Sequence, residues 1–147
     1  MASMVIQLIA SFFATVSFAF LFNVPKKEFF YCGITGTIGW FFYLLLYNFL
    51  SSVVFATLIA SVALTIVSRL FAVNRKLPVT IFLISGIFPL VPGAGIYYTT
   101  YYIFTHEISL AVEKGVQTIS IALAIAFGIM LVFVIPQRCF LWGRRQR

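Results

Sequence analysis

Ile87-Phe-Pro-Leu-Val-Pro-Gly-Ala-Gly-Ile-Tyr-Tyr-Thr-Thr-Tyr-Tyr102 decides how the rest of the chain is read. It lies inside a long apolar segment, yet Pro89, Pro92, Gly93 and Gly95 fall within seven residues. Proline removes a backbone donor and clashes with the preceding helical turn. Glycine admits conformations that other residues avoid. The stretch therefore predicts an interrupted helix. In lipid, a broken backbone has to be satisfied by protein or by a water-lined cavity. The interruption should face the interior of an assembly, and it is the candidate functional site.

Composition puts this stretch in a membrane. The chain is 63% hydrophobic and 9% charged, against roughly 25% charged residues in a soluble domain. Mean hydropathy is +1.10. The net charge of +7 sits in short clusters between apolar runs. No basic domain exists to hold a nucleic acid, so the charge is read as setting topology beside anionic headgroups. Cys32 and Cys139 are far apart and form no CxxC pair; free thiols are expected. No Lys or Arg precedes Lys26, so the first apolar segment is read as a retained helix, not a secretory signal.

The whole chain, 1–147, reads as one all-α integral membrane domain with five transmembrane helices. Their spans are approximately 4–22, 29–47, 53–71, 79–104 and 116–135, with the fourth interrupted near the bilayer midplane. Each is close to the ~20 residues that cross the hydrocarbon core. In the first, Ser11 and Thr15 share a face, suited to helix packing or, alternatively, to lining a pore. Asn23 suits the C-terminal cap, and Pro25 stops the helix. In the second, Gly33, Gly36 and Gly39 permit close helix approach, while Trp40, Tyr43 and Tyr47 approach the far interface. The third carries Thr57, Ser61, Thr65 and Ser68 as one stripe, either a packing seam or a polar path. Arg69 near its end is expected to snorkel to the interface with Arg75 and Lys76.

The fourth span places ~15 Å of helix before Pro89, about half of the ~30 Å core. A second half-helix is expected to start near Gly95. Its free N–H groups and positive dipole end suit an anion such as a carboxylate. Tyr97 and Tyr98 follow directly, in a run of hydroxyls that extends to Tyr102. The structural alternative is a kinked helix with interfacial tyrosines. Thr105–Gly115 reads as a polar linker with His106 solvated, and the basic tail holds Trp142 as an interfacial anchor.

Five spans put Lys26, Lys27, Arg69, Arg75, Lys76, Arg138, Arg144, Arg145 and Arg147 on one side, nine of the ten basic residues. Lys114 stands alone on the other. The positive-inside rule then gives an outside N-terminus and a cytoplasmic C-terminus.

Several chemistries have no footing. No nucleophile–base–acid set, metal-ligand spacing or phosphate-cradling GxxxxGK[ST] is present, so no enzyme, metal or cofactor is expected. No Asp or Glu falls within a predicted span, which removes the usual intramembrane proton relay.

Phe18-Ala-Phe-Leu-Phe-Asn-Val-Pro25, followed by Cys32-Gly-Ile-Thr-Gly-Thr-Ile-Gly39, resembles the opening of the threonine/serine exporter family's small-subunit, YjjB-like type. Ile87-Phe-Pro-Leu-Val-Pro-Gly-Ala-Gly-Ile-Tyr97 resembles its fourth-span signature, and Ser68-Arg69 fits as well. The resemblance covers nearly the whole chain. It implies half of a bacterial inner-membrane exporter of threonine and serine, or of dicarboxylates such as succinate. The other half is a larger YjjP-like subunit with its own spans, and a higher oligomer is compatible. Two such halves with odd span counts would be oppositely oriented, as in inverted-repeat transporters. Carried onto this chain, the motif positions are Pro89, Pro92, Gly93, Gly95 and Tyr97. Pro92, Gly93, Gly95, Tyr97 and Tyr98 are the expected substrate contacts; Asn23, Pro25, Gly36, Gly39 and Pro89 are expected to be structural. A non-transporting scaffold and a homo-oligomeric pore are the alternatives.

Overall fold

The computed structural model describes residues 2–136, and among them it contains helices and turns only. The helices are α1 (Ala2–Leu21), α2 (Phe29–Leu50), α3 (Val53–Arg75), α4 (Val79–Ile87), α5 (Gly93–Phe104) and α6 (Ile108–Val134). Short 3₁₀ turns cover Lys26–Glu28 and Phe88–Leu90. The tail residues Arg138, Cys139, Trp142, Arg144, Arg145 and Arg147 lie outside the described residues.

Local chemistry sets the helix ends. Asn23 adopts φ 53°; its N–H donates to the Phe20 carbonyl, and the Val24 N–H to that of Ala19. This is a Schellman termination with Asn in the left-handed position, as expected for a C-terminal cap. The same arrangement closes α5, with His106 at φ 61° and the Glu107 N–H donating to the Tyr102 carbonyl. His106 is exposed, as expected of a solvated turn residue.

α1, α2, α3 and α6 are each long and apolar enough to cross a membrane, and α4 and α5 together form a fifth such unit bent by 49°. The packing shows that this bent pair crosses and does not turn back. Ser61 and Arg69 of α3 meet Gly128 and Val132 of α6, in the same order along both chains. α3 and α6 therefore run parallel. The chain leaving the end of α3 has to traverse the full thickness before α6 starts. The fold is thus five membrane spans, the fourth broken.

Helix seams are built from small residues. A Cβ added at Gly33 or Gly36 would collide with Phe12 and Thr15 of α1, but one at Gly39 would meet Leu64 of α3 at 2.7 Å. The three glycines thus serve two neighbours. Each step of three residues falls about 60° short of a full helical turn, so the row rotates from α1 towards α3. The α3 stripe is a packing seam. Thr57, Ser61, Thr65 and Ser68 are all buried, and each hydroxyl donates to a carbonyl of its own helix at 2.6–2.9 Å.

Two charged contacts tie the ends together. Arg75 makes a two-pronged pair with buried Glu28, Nη2 to Oε1 at 2.8 Å and Nε to Oε2 at 2.9 Å. This joins the α1–α2 turn to the end of α3. Arg69 does not snorkel. It is buried, and its guanidinium donates to the carbonyls of Val132 and Ile135, the latter at 2.7 Å. A cation here satisfies the open carbonyls at the end of α6 and complements its dipole.

Three boundaries differ most from the sequence reading. α3 continues to Arg75, four residues beyond the expected end at 71. α2 continues to Leu50, which leaves Ser51 and Ser52 as the connection. α6 begins at Ile108, not near 116, so most of the expected linker is helix, and Glu113 falls inside a candidate span where no acidic residue was expected. Glu113 and Lys114 read as loop residues by polarity alone, but each occupies a different side of one helical turn.

Gly128→Val tests the seam. Its Cβ would stand 2.8 Å from the Leu58 carbonyl, a backbone atom that cannot swing away. The expected loss is about 1–3 kcal/mol. Gly93→Ala, whose Cβ meets nothing within 4 Å, should stay within about 1 kcal/mol of wild type. Unfolding of the purified protein in mixed micelles measures both.

Candidate functional site

The break follows from its two prolines. Val91 precedes Pro92 and is driven to an extended conformation, φ −62° and ψ 129°. Pro92 at φ −77° and ψ 58° is the centre of an inverse γ-turn, closed by the Gly93 N–H donating to the Val91 carbonyl at 2.8 Å. Pro92 then caps α5, whose first helical bond is Ile96 N–H to the Pro92 carbonyl at 3.1 Å. The second half-helix thus starts at Gly93, two residues before the position expected. Among the described residues, no backbone carbonyl partners the amides of Ala94 and Gly95. α4 and the 3₁₀ turn are about 20 Å long and α5 about 18 Å, so the break is near the middle of the span.

Its position is held from both sides. Phe88 stacks on Phe18 of α1, ring centroids 3.7 Å apart and planes within 12°. Leu90 is buried in the core cluster with Leu64, Leu83 and Ile125. A Cβ on Gly95 would press on Thr118 of α6, 3.3 Å from its Cβ. The turn is therefore a fixed feature of the packed bundle.

A cavity of about 340 Å³ opens at this turn. Pro89, Pro92, Gly93, Gly95 and Tyr98 line it. Gly93 and Gly95 differ in what they do. Gly93 faces open space, and Gly95 mediates the approach of α5 to α6. Tyr97 is not among the lining residues; it is 64% exposed on the outer side of α5. One residue separates Tyr97 from Tyr98, which turns their side chains about 100° apart, so only Tyr98 reaches the cavity.

Sequence reading missed the other walls. Lys114, Gln117, Thr118 and Ile121 of α6 line the cavity. Their spacing of 3, 1 and 3 is one helical face, a signal that became visible only once α6 was extended to Ile108. Trp40 and Tyr43 of α2, expected at the membrane interface, also line it, with ring centroids 4.9 Å apart. Of the α3 stripe, Thr57 contributes. Lys114 is partly buried, and among the described residues the one ion pair is Arg75–Glu28.

The lining combines a cation, amide, hydroxyl and aromatic groups around a backbone turn, without a carboxylate. It is suited to reversible binding of a small polar molecule. Among the described residues, no group of His, Cys, Asp and Glu could hold a metal ion. Asn23 and Pro25 lie elsewhere, beside a smaller cavity of about 270 Å³ bounded by Thr80 and Ile84 of α4.

No curated protein and no solved structure matches the chain. A family model described as "Threonine/Serine exporter, ThrE" matches residues 7–135. The match runs from α1 to the end of α6 and takes in the broken span with its cavity. The chain is therefore a multi-pass membrane protein that belongs to the threonine/serine exporter family.

Proposed function

We propose that the chain is the small membrane subunit of a two-component secondary exporter in the bacterial inner membrane. It is a transporter, not an enzyme. The solutes are small carboxylate-bearing metabolites, threonine and serine or dicarboxylates such as succinate. The supporting observation is the cavity at the broken fourth span, at the depth where secondary transporters place substrate. Its volume is at the lower end of the ~300–1,000 Å³ typical of ligand sites, in keeping with a small solute. Pro92, Gly93, Gly95 and Tyr98 are the contacts on this chain; Tyr97 serves a different surface.

A larger, YjjP-like subunit with its own spans supplies the remainder of the path. α5 has no buried residue, and Tyr97 and Tyr101 stack on its outer side with centroids 6.4 Å apart. A hydroxyl at that depth is costly in lipid without a hydrogen-bond partner. A second membrane subunit supplies such partners. The scaffold alternative gives no reason for a cavity at this depth. A homo-oligomeric pore would draw on the α3 stripe, whose hydroxyls are buried and bonded to their own helix.

Orientation follows from charge. The Glu28–Arg75 pair places the α1–α2 turn, with Lys26 and Lys27, at the same end as Arg75 and Lys76. That basic end is cytoplasmic by the positive-inside rule, and the N-terminus is outside. A cysteine at residue 2 should react with an impermeant thiol reagent added to intact cells. Reaction only after the cells are opened reverses the orientation.

Deletion of this chain, alone and with the larger subunit, tests the transport reading. Cells loaded with threonine-rich peptides or with succinate should retain one solute in both deletions. Unchanged efflux of both solutes contradicts the assignment. Gly93→Leu projects into open space and should fill the cavity without disturbing packed neighbours. Efflux should fall at least about tenfold, a loss of ~1.4 kcal/mol or more, while membrane abundance stays normal. Wild-type efflux would remove the cavity from the path.

A further inference from the structure

We propose that Lys114 is the residue that holds a carboxylate of the transported solute, making the cavity selective for anionic and zwitterionic molecules over cations. The assignment rests on the transport reading above and adds to it the charge class of the solute and the group that recognises it.

Depth is the first observation. α6 runs from Ile108 to Val134, so Lys114 is seven residues from its middle, about 10 Å along the axis. Half of the hydrocarbon core is about 15 Å. Lys114 is thus placed within the span and not in a loop, and its side chain lines the cavity. An ionisable side chain at such depth that also faces a cavity marks a functional path; Glu113, one residue earlier, is at a similar depth but is exposed and does not line the cavity.

The second observation is the missing counter-charge. The chain holds three acidic residues. Glu28 is bonded to Arg75 at the opposite end of the bundle. Glu107 and Glu113 are exposed, and neither pairs with Lys114. A cation in a partly apolar cavity without an internal partner is suited to an anion that arrives and leaves. An internal carboxylate would compete with that anion, and none lines the site.

The remaining lining completes the recognition of a small amino acid. Trp40 and Tyr43 offer ring faces, to which an ammonium is attracted. Gln117, one turn from Lys114 on the same face, and the Tyr98 hydroxyl offer hydrogen bonds to a side-chain hydroxyl. A dicarboxylate would use Lys114 for one end and leave the rings without a cationic partner. The cavity thus fits a zwitterion with a short polar side chain better than a dianion.

Uptake of labelled threonine into everted vesicles tests this, using cells that make the protein, the same cells with this chain deleted, and cells with single substitutions. Lys114→Gln should raise KM about tenfold or more, the loss of one charge-assisted hydrogen bond, at unchanged membrane abundance. Lys114→Arg should recover most of that affinity, because it restores the charge. Glu113→Gln, on the exposed side of the same turn, should leave KM at the wild-type value. Threonine amide, which lacks the carboxylate, should compete poorly with threonine in wild type and no worse in Lys114→Gln. A wild-type KM in Lys114→Gln, with uptake still dependent on this chain, overturns the Lys114 assignment alone. Uptake that is the same with and without this chain overturns the transport reading and the assignment together.

Discussion

A backbone that leaves its helix within a bilayer has no water to satisfy it. That constraint organises the protein. Val91 and Pro92 break the fourth span, and the neighbouring helices hold this break from two sides. The γ-turn at Pro92 absorbs the Gly93 N–H. Phe88 and Leu90 pin the turn to α1 and to the core, and Gly95 lets α5 lie against α6. What remains open is the cavity on the Gly93 side. The costly feature and the candidate site coincide because a bilayer tolerates irregular backbone only against protein or a cavity.

The surrounding helices need a different solution, since lipid chains offer no hydrophobic drive for helix association. Close approach at small residues supplies it. Gly36 accepts Thr15, Gly86 accepts Thr35 and Gly128 accepts Ser61. The hydroxyls that enter these seams turn back onto their own helices, so that among the described residues no buried side-chain polar atom lacks a partner. The arginine pairings at the helix ends follow the same rule. Arg69 occupies the open carbonyls of α6, and Arg75 neutralises Glu28. Against this background of satisfied groups, the unpaired lysine in the cavity stands out.

Much of the fold was legible in the residues. Apolar segments of membrane-crossing length, the Pro-x-x-Pro-Gly interruption and the Asn-Val-Pro termination each act through local chemistry, and local chemistry survives any packing. The break was placed to within two residues, because the residue before a proline is biased towards extended backbone; Val91 before Pro92 follows that bias, while Phe88 before Pro89 stays helical. The start of α6 was not legible. Glu113, Lys114 and Gly115 look like a linker when polarity is read along the chain, but polarity around a helix is set by its neighbours. Tyr97 and Tyr98 are alike as residues; the helical rotation between them sends one into the cavity and the other away.

By itself the sequence determined that this is a membrane protein of five apolar spans, that the fourth is broken at Pro92, and that its motifs are those of the threonine/serine exporter family. The spans and the break are consequences of composition and of backbone restrictions carried by single residues; the family is read from the likeness of its motifs. Only the tertiary structure decided which polar groups share the break. Lys114, Gln117, Trp40 and Tyr43 are distant from Gly93 in the chain and meet there because α5 packs on α6, which itself runs parallel to α3. A site assembled from four helices depends on their relative rotation. That rotation is fixed by the interlocking of Gly95 with Thr118, Gly128 with Ser61 and Gly39 with Leu64, contacts that no local pattern encodes.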